Sequence, residues 1–254
     1  MPVSEEPWHR GPVTGKLWQG LRRRVGQAMH RYRMLADGDR VLVAVSGGVD
    51  SLFLVWLLAA WRAKAPIDYH LAAVHLDMGF EPATGPAVRQ RLAGQGVPFS
   101  VIDTDFGARA AAEEARSACF HCARRRRNRL FEIARQEGCN KIAFGHHAGD
   151  LIETFFLNLF YSGNLSTMVP RQDLFGGRLA IIRPLAFLDK AAITAAAGEL
   201  SLDAVANPCP LAATSRRAGI RLLLDGLTRD NPRLKANILA GLANVRPDYL
   251  LAPR

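Results

Sequence analysis

The segment Val41-Leu-Val-Ala-Val-Ser-Gly-Gly-Val-Asp-Ser51 is the most informative part of this 254-residue chain. An apolar run typical of a buried β-strand leads into two adjacent glycines, and a long apolar run over 52–60 follows at once. A strand, a glycine turn and a helix N-terminus together make an anion site, because backbone N–H groups converge there and the helix dipole favours negative charge. The stretch therefore predicts a phosphate-binding loop between a strand and a helix.

The residues of this loop suit a phosphate ligand. Gly47 and Gly48 let the backbone approach a ligand closely, because neither residue carries a Cβ. Ser46 and Ser51 add hydroxyl donors, and Asp50 can hold a metal ion or orient the phosphates. The alternative interpretation is an ordinary strand–helix turn with incidental glycines.

Strand-like and helix-like segments alternate through most of the chain. Further strands are expected at 70–76, 99–103, 141–145 and 179–182, with helices between them. This alternation predicts an α/β fold built on a doubly wound parallel five-stranded sheet with helices on both faces. Ligands in such sheets bind outside the carboxyl ends of the strands, where the Ser46 loop would lie.

The chain is basic, with 33 Lys and Arg against 23 Asp and Glu and a net charge of +10. A polyanionic partner, most naturally nucleic acid, is the inference from this charge. No apolar run approaches the roughly 20 residues of a membrane span, and the first residues show no signal-peptide pattern. A cytoplasmic protein is expected, so its four cysteines are interpreted as thiols or metal ligands rather than disulfides.

Three of the cysteines form a candidate metal site. Cys119 and Cys122 make a C-x-x-C pair, and Cys209 offers a third thiolate from a proline-flanked loop. Three cysteines can hold a [4Fe–4S] cluster and leave the fourth iron open to sulfide or substrate. Zinc is the alternative occupant, with His121 or another group as fourth ligand. A redox pair or simply buried thiols would explain the same residues without a metal.

Four consecutive arginines, 124–127, follow the C-x-x-C pair on the same predicted helix. Because four residues sweep a whole helical turn, they cannot all face water. Arg126 falls on the arc predicted to be buried, where it would need an anion such as an ATP phosphate or an RNA phosphodiester. The other arginines of the run can be solvated.

A second polar constellation follows the strand at 141–145. Asp150, Thr154 and Asn158 form a polar stripe on an otherwise apolar helix that starts beside the predicted phosphate loop. Asp150 is a candidate magnesium ligand or acid–base carboxylate. It can also be a helix-start carboxylate that the helix dipole stabilises. His146 and His147 either line the cleft or are packed in the core.

The chain resembles the tRNA 2-thiocytidine synthetase (TtcA-type) family of PP-loop ATPases over about 27–251. The resemblance rests on several motifs in order: Ser46-Gly-Gly-Val-Asp-Ser51, Cys119-x-x-Cys122, Gly145-His-His-x-x-Asp150, Ile182-Arg-Pro-Leu185, Pro208-Cys209 and Asn244-Val-Arg-Pro247. It implies a PP-loop (adenine nucleotide alpha-hydrolase-like) fold. The implied activity is thiolation of an anticodon-loop cytidine: ATP adenylates the C2 oxygen, and sulfur carried on a [4Fe–4S] cluster then displaces AMP.

The resemblance also implies roles for particular residues. Ser46, Gly47, Gly48, Asp50 and Ser51 would hold ATP, with Mg²⁺; Cys119, Cys122 and Cys209 would ligate the cluster; Asp50, Arg126 and Asp150 would act in catalysis. The chain departs from the family at three positions. Val49 stands where a lysine is usual, Gly149 where an aspartate is usual, and Ala212 where a second cysteine is usual.

The expected organisation has three parts. Residues 1–36 comprise a mobile leader and a basic N-terminal helix, 37–200 the PP-loop ATP pyrophosphatase domain, and 201–254 a C-terminal helical segment that carries the third cluster cysteine and packs on that domain. The expected partners are tRNA and a sulfur donor, either a cysteine desulfurase or free sulfide, and the sequence allows a homodimer. Alternative functions are 2-thiouridine synthesis, lysidine synthesis, or a non-catalytic ATP-binding carrier of a cluster or metal.

Overall fold

The computed structural model describes residues 15–113, 118–231 and 233–251. The expected leader at 1–14 lies outside the described residues. Six strands are present, β1 Asp39–Val45, β2 Tyr69–Asp77, β3 Phe99–Asp103, β4 Lys141–Phe144, β5 Arg171–Leu174 and β6 Leu179–Ile182. The helices are α1 Lys16–Arg31, α2 Val49–Arg62, α3 Gly85–Leu92, α4 Phe106–Ala112, α5 Ala118–Gln136, α6 Ala148–Ser162, α7 Lys190–Glu199, α8 Arg216–Asp230 and α9 Leu234–Leu242.

The strands form one sheet in the order β3-β2-β1-β4-β6-β5. All neighbouring pairs are parallel except β5 and β6, which are antiparallel and joined by a short turn at Phe175–Gly177. The prediction of five strands was therefore wrong by one, since β5 was missed. Its sequence, Arg171-Gln-Asp-Leu174, is mostly polar, because an edge strand has a side open to water and needs little apolar character.

Helices cover both faces of the sheet, as the doubly wound prediction requires. On β1, Val41, Val43 and Val45 pack in a core with α1, α2 and α7, whereas Leu42 points the other way, into a core with α5. Alternate residues of a strand face opposite sides of the sheet, so both sides of β1 are apolar because both are buried. The α/β fold class is confirmed, and the short helix α4 is an addition that the sequence did not predict.

The first helix is amphipathic, as predicted. Trp18, Leu21 and Val25 of α1 are buried against the α2 layer, while the run Arg22-Arg-Arg24 is exposed. A helix with one apolar stripe buries that stripe and leaves its charged face to solvent. The basic face of α1 is therefore part of the molecular surface.

The C-terminal helices pack on α6. Ile220 and Leu224 of α8 are buried together with Ile152 of α6, and α9 contributes partly buried side chains to the same cluster. The division into 1–36, 37–200 and 201–254 stays a prediction. Within the described ranges, no helix combines the length and the apolar character needed to cross a membrane.

Candidate active site

The centre of the sheet provides a topological switch point. The chain leaves β1 towards β2 and β3 on one side, and β4 lies on the other side of β1. Ala44 is aligned with Phe144, so the loop after β1 and the loop after β4 emerge side by side. A crevice at such a point is where open α/β sheets bind ligands. The predicted phosphate loop and the predicted histidine–aspartate motif therefore face each other.

Glycine is required at two positions of this crevice. Gly47 has φ +87°, and a Cβ there would lie 3.0 Å from Val88 Cγ2 and 3.2 Å from Val205 Cβ. A Cβ on Gly145 would lie 3.0 Å from the backbone of Asp50 and Ser51. The left-handed backbone explains the first glycine, and the close approach of the two loops explains the second.

The two loop serines stabilise the loop itself. Ser51 is buried; its hydroxyl donates to the Gly48 carbonyl at 2.8 Å and accepts from Ser46 N at 3.2 Å. Ser46 Oγ accepts from Gly48 N at 3.3 Å. These bonds shape the turn that opens α2, with Gly48 at its N-cap. Direct contact of either hydroxyl with phosphate stays a prediction.

Asp50 has a partner that the sequence analysis missed. Lys190 Nζ lies 2.6 Å from both carboxylate oxygens of Asp50. The two residues are 140 positions apart, and only the packing of α7 beside α2 brings them together. The pair places a cation and a carboxylate at the rim of the phosphate loop.

The histidine–aspartate motif caps α6. Gly149 N donates to His147 Nδ1 at 3.0 Å, and His147 N donates to Asp150 Oδ2 at 2.9 Å. This reciprocal arrangement is a capping box, so Asp150 performs the helix-start role that was the alternative interpretation. A Cβ on Gly149 would lie 2.8 Å from His147 Cε1, which explains why this glycine permits the cap. The catalytic role of Asp150 stays a prediction.

His146 is held as a neutral imidazole. Its ring stacks on Phe144, and its Nδ1 accepts from Arg183 Nε at 3.3 Å. A guanidinium only donates, so the proton of the neutral ring sits on Nε2. Burial, together with the charges of Arg183, Arg217 and Arg126, lowers the pKa of His146 to about 3. At neutral pH this side chain offers an N–H donor and no positive charge.

The arginines around His146 form a cationic cluster, which we call the arginine cluster. Its members are Arg126, Arg127, Arg183 and Arg217, which interact electrostatically with His146 or with one another. Arg183 is buried, and its pKa falls to about 10 because burial disfavours its charge and Arg127 repels it. A group of cations brought together at a crevice is typical of a site for phosphate or carboxylate.

The prediction that Arg126 lies on the buried side of α5 is wrong. Arg126 is exposed rather than buried, because the apolar contacts of α5 come mainly from its C-terminal half, at Leu130 and Ile133. Desolvation of the guanidinium by nearby protein atoms nevertheless lowers the pKa of Arg126. The charge of Cys122 opposes that change, and the charges of Arg127 and Arg217 add to it. Because its side chain meets solvent, Arg126 needs no buried anion.

A buried carboxylate ties α8 to this crevice. Glu153 on α6 is 5% exposed and accepts from Arg221 Nε at 2.8 Å and Arg217 Nη1 at 3.3 Å. Arg217 also lies 3.6 Å from Asp150 and donates to Thr154 at 3.2 Å. Neither α8 arginine was predicted as a site residue.

Of the three predicted cluster cysteines, Cys122 interacts electrostatically with both of the others. Cys119 is exposed at the start of α5, and Cys122 and Cys209 are half-buried. Burial raises the pKa of the Cys122 thiol, the charge of Arg126 lowers it, and Cys209 and Cys119 raise it. Within 15–113, 118–231 and 233–251, however, no three His, Cys, Asp or Glu side chains are grouped closely enough to hold a metal ion.

A short segment, which we call the Cys209 strap, joins the phosphate loop to the third cysteine. Val205 N donates to the Gly47 carbonyl at 2.9 Å, and Cys209 follows four residues later. Cys209 N in turn donates to Asn207 Oδ1 at 3.1 Å. The position of Cys209 is therefore tied to the backbone of the phosphate loop.

The carboxyl end of β2 forms a further wall of the crevice, which the sequence analysis did not predict. Asp77 accepts from the backbone N–H groups of Gly79, Thr84 and Gly85 at 2.7–3.0 Å. Burial raises the pKa of Asp77, but these bonds outweigh it and the pKa lies below its ordinary value. His75 donates from Nδ1 to the Val45 carbonyl at 2.9 Å and so links this wall to β1. Asp77 and His75 lie at the carboxyl end of a predicted strand, and this position is the sequence signal that could have identified them.

The chain is similar in sequence to proteins of one known family. A family model described as a PP-loop domain matches residues 19–225. The tRNA-cytidine(32) 2-sulfurtransferase of Geobacter sulfurreducens is 36% identical over 238 residues, covering 92% of this chain and 93% of the relative. The protein of the same name from Anaeromyxobacter sp. strain K is 37% identical, covering 93% of this chain and 82% of the relative.

A solved structure has the same fold. The U34-tRNA thiolase NcsA of Methanococcus maripaludis, solved with its [4Fe–4S] cluster, superposes with a TM-score of 0.75 and 22% identity, covering 90% of this chain and 78% of NcsA. At that identity the likeness concerns the fold. The family model and the sequence relatives span most of the chain, and the chain accordingly belongs to the PP-loop family, among the tRNA-cytidine(32) 2-sulfurtransferases.

Proposed function

We propose that the protein is an ATP-dependent tRNA sulfurtransferase that converts a cytidine of tRNA to 2-thiocytidine. The observation that carries this proposal is a juxtaposition. The Cys209 strap joins the phosphate loop to Cys209. Cys209 interacts electrostatically with Cys122, and Cys122 interacts with Arg126 of the arginine cluster. Nucleotide activation and sulfur delivery need such neighbouring sites.

The first step is adenylation. The C2 carbonyl oxygen of the cytidine bonds to the α-phosphorus of ATP, the bond from that phosphorus to the bridging oxygen breaks, and pyrophosphate leaves with the electron pair. The N–H groups at the start of α2 would stabilise the negative charge that develops on the phosphates. Asp50 and Asp150 are the proposed Mg²⁺ ligands, and their present cationic partners, Lys190 and Arg217, would then shift toward phosphate.

The second step is displacement by sulfur. A sulfide sulfur bonds to C2, the C2–O bond breaks, and AMP leaves with the oxygen. The arginine cluster would hold the AMP phosphate as it leaves, because these guanidiniums surround the crevice. His146, neutral with its proton on Nε2, would donate a hydrogen bond without adding charge. A cytidine in a tRNA loop is unpaired, so moving it into the crevice breaks few contacts.

The cysteines fit an iron–sulfur cluster in their chemistry. Ionised Cys119 and Cys209 repel the Cys122 thiolate and so disfavour its ionisation. A bound metal centre, together with the nearby guanidinium of Arg126, would stabilise the thiolates instead. When bound on Cys119, Cys122 and Cys209, a [4Fe–4S] cluster would carry the sulfur on its fourth iron. Zinc on the same thiolates is the alternative, and free sulfide or a cysteine desulfurase would supply the sulfur. Because the substrate is tRNA, we place the protein in the cytoplasm.

The test is nucleoside mass spectrometry of total tRNA from a deletion strain and its parent. We expect 2-thiocytidine to disappear selectively, and to return with the wild-type gene or the Cys139→Ser variant. Cys122→Ser and Cys209→Ser should not restore it. Cys139 is the matched control, since it is also a half-buried thiol but lies just before β4, at the amino end of that strand.

Other outcomes would change the assignment. Loss of a 2-thiouridine or of lysidine would keep the adenylation chemistry and replace the substrate. An unchanged profile in a parent that contains 2-thiocytidine would refute the proposed function and favour a non-catalytic carrier.

A further inference from the structure

An exposed apolar surface lies at the C-terminal end of α6 and in the chain that follows it. Phe160 and Tyr161, in the last turn of α6, are 53% and 51% exposed, and Leu165 and Val169 beyond the helix are 61% and 46% exposed. Single exposed apolar side chains are common on proteins, whereas a concentration of them is typical of a binding site. We call these four residues the α6 surface.

The chain after α6 is fixed to the helix by hydrogen bonds. Residues 164–169 run back along α6 toward its start. Asn158 Nδ2 donates to the Ser166 carbonyl at 3.0 Å, and Thr167 Oγ1 donates to the Leu151 carbonyl, which lies nearer the N-terminus of the helix. The exposed side chains of this segment are therefore held in place, and their exposure belongs to the folded structure.

The same segment ends at the arginine cluster. The Val169 carbonyl accepts from Arg183 Nη1, and Arg183 Nε donates to His146 Nδ1 at 3.3 Å. At the other end, Tyr161 lies about three turns beyond Asp150 on α6, which is a rise of about 16 Å. At about 3.4 Å per stacked nucleotide, that length corresponds to about five nucleotides. The α6 surface therefore connects to the crevice and has the length of a short stretch of RNA.

The charges that border the α6 surface suit a polyanion. Within 154–172, Arg171 is the only charged residue, so this stretch contains no carboxylate. Arg216, exposed at the start of α8, places its guanidinium over the Tyr161 ring, 4.5 Å from the ring centre. Arg217, the next residue of α8, belongs to the arginine cluster. Positive charge therefore lies at both ends of the α6 surface.

Exposed rings beside arginines are the chemistry that recognises single-stranded RNA. Aromatic faces stack unpaired bases, and guanidiniums contact phosphates or stack on bases themselves. A tRNA with one loop cytidine in the crevice brings the neighbouring unpaired nucleotides to the surface that adjoins the crevice. Tyr161 and Arg216 are the ring and the cation placed to receive them.

We propose that the α6 surface binds the unpaired nucleotides of the tRNA loop next to the target cytidine, with one base stacked on Tyr161 and one phosphate on Arg216. The proposal rests on the proposed function, since it assumes that tRNA places a cytidine in the crevice. Because these contacts hold the flanking nucleotides, they determine which cytidine of the loop reaches the crevice.

The test is tRNA binding by the full-length protein, measured by fluorescence anisotropy. The probe is a labelled transcript of a tRNA that carries 2-thiocytidine in the parent strain. Tyr161→Ala should weaken binding about tenfold, because a base loses its stacking partner. Tyr161→Leu, which keeps apolar bulk but has no ring, should weaken binding as much, whereas Tyr161→Phe should bind within about twofold of wild type.

Leu222→Ala is the matched control. Leu222 is an apolar residue of α8 that is 75% exposed and lies outside the α6 surface. This variant should bind tRNA within about twofold of wild type, since an exposed apolar side chain alone provides no stacking face. Circular dichroism spectra should be the same for all variants.

The salt dependence of binding separates the two proposed contacts. Arg216→Ala should reduce the slope of log affinity against log salt by about 1, because one phosphate contact is lost. Tyr161→Ala should leave the slope unchanged, since a stacked base releases no counterion. An unchanged slope in Arg216→Ala would refute the phosphate contact, and full affinity in Tyr161→Leu would refute the stacking.

Two further results would overturn the proposal. Unchanged tRNA affinity in both Tyr161→Ala and Arg216→Ala would show that the α6 surface does not contact tRNA. The same result with a smaller mass of Tyr161→Ala in analytical ultracentrifugation would assign this surface to a second copy of the chain. In both cases the wild-type protein still binds tRNA, so the proposed function survives; a wild-type protein that fails to bind tRNA would instead contradict the proposed function.

Discussion

At the scale of single residues, Gly149 determines how α6 begins. The absence of a Cβ lets the His147 imidazole fold back and accept from Gly149 N, while Asp150 accepts from His147 N. The Cβ of an aspartate at position 149 would lie 2.8 Å from His147 Cε1, so the ring would have to move.

We expect Gly149→Asp to lower the free energy of unfolding by about 1–2 kcal/mol, because it crowds His147 and costs the cap. In a His147→Ala background the same change should be neutral or stabilising by about 0.5 kcal/mol, since an acidic residue suits the first turn. Urea denaturation of the four proteins of this double-mutant cycle measures both values. An equal cost in the two backgrounds would show that His147 is not the cause.

At the scale of elements, the contact between α6 and α8 depends on one buried carboxylate. Glu153 is 5% exposed, whereas the side chains of its partners Arg217 and Arg221 are 38% and 56% exposed. Removing the carboxylate and removing the arginines therefore have different costs in stability. An arginine released from the pair reaches water, but the carboxylate cannot.

This asymmetry predicts the cost of breaking the contact. Replacing both Arg217 and Arg221 by Gln should lower the free energy of unfolding by about 3 kcal/mol, because it leaves a buried charge unpaired. Glu153→Gln should cost less, about 1 kcal/mol. Denaturant unfolding gives the totals, and hydrogen exchange should show faster exchange in α8. A larger cost for Glu153→Gln than for the double arginine variant would contradict the argument.

At the scale of the whole molecule, the distribution of the net charge of +10 over the surface determines where a polyanion would bind. The exposed run Arg22-Arg-Arg24 lies near the active-site edge, because Arg24 Nη1 is 3.2 Å from Asp189, the residue before Lys190. A polyanion that reaches the crevice would pass along this face. Arg178 lies at the opposite edge, directly before β6, and offers a comparison with the same charge.

We expect tRNA affinity to fall steeply with salt, because binding releases counterions from the phosphates. Replacing Arg22 and Arg23 by Ala should reduce the slope of log affinity against log salt by about 2. Arg178→Ala should leave the slope unchanged. Fluorescence anisotropy with labelled tRNA at several salt concentrations measures it. Equal slopes for all three proteins would assign the α1 arginines to a merely solvated face.

Much of the fold and part of the site could be predicted because their signals are local. The strand, glycine turn and helix around Ser46 are adjacent in sequence, so period and residue type were sufficient. The roles of Arg126, Lys190 and Glu153 were not predictable in this way. Each depends on which residues of distant helices lie opposite, and a helical period states only which residues share a face.

Short contiguous motifs were sufficient to predict the α/β alternation, the phosphate loop, the candidate cysteines and the family. The contacts of Lys190 with Asp50, of Arg217 and Arg221 with Glu153, and of Val205 with Gly47 became visible only in the folded chain. These contacts join residues far apart in the chain, and their geometry follows from how the helices pack on the sheet. Packing depends on the shapes of all the buried side chains together, which no local pattern contains.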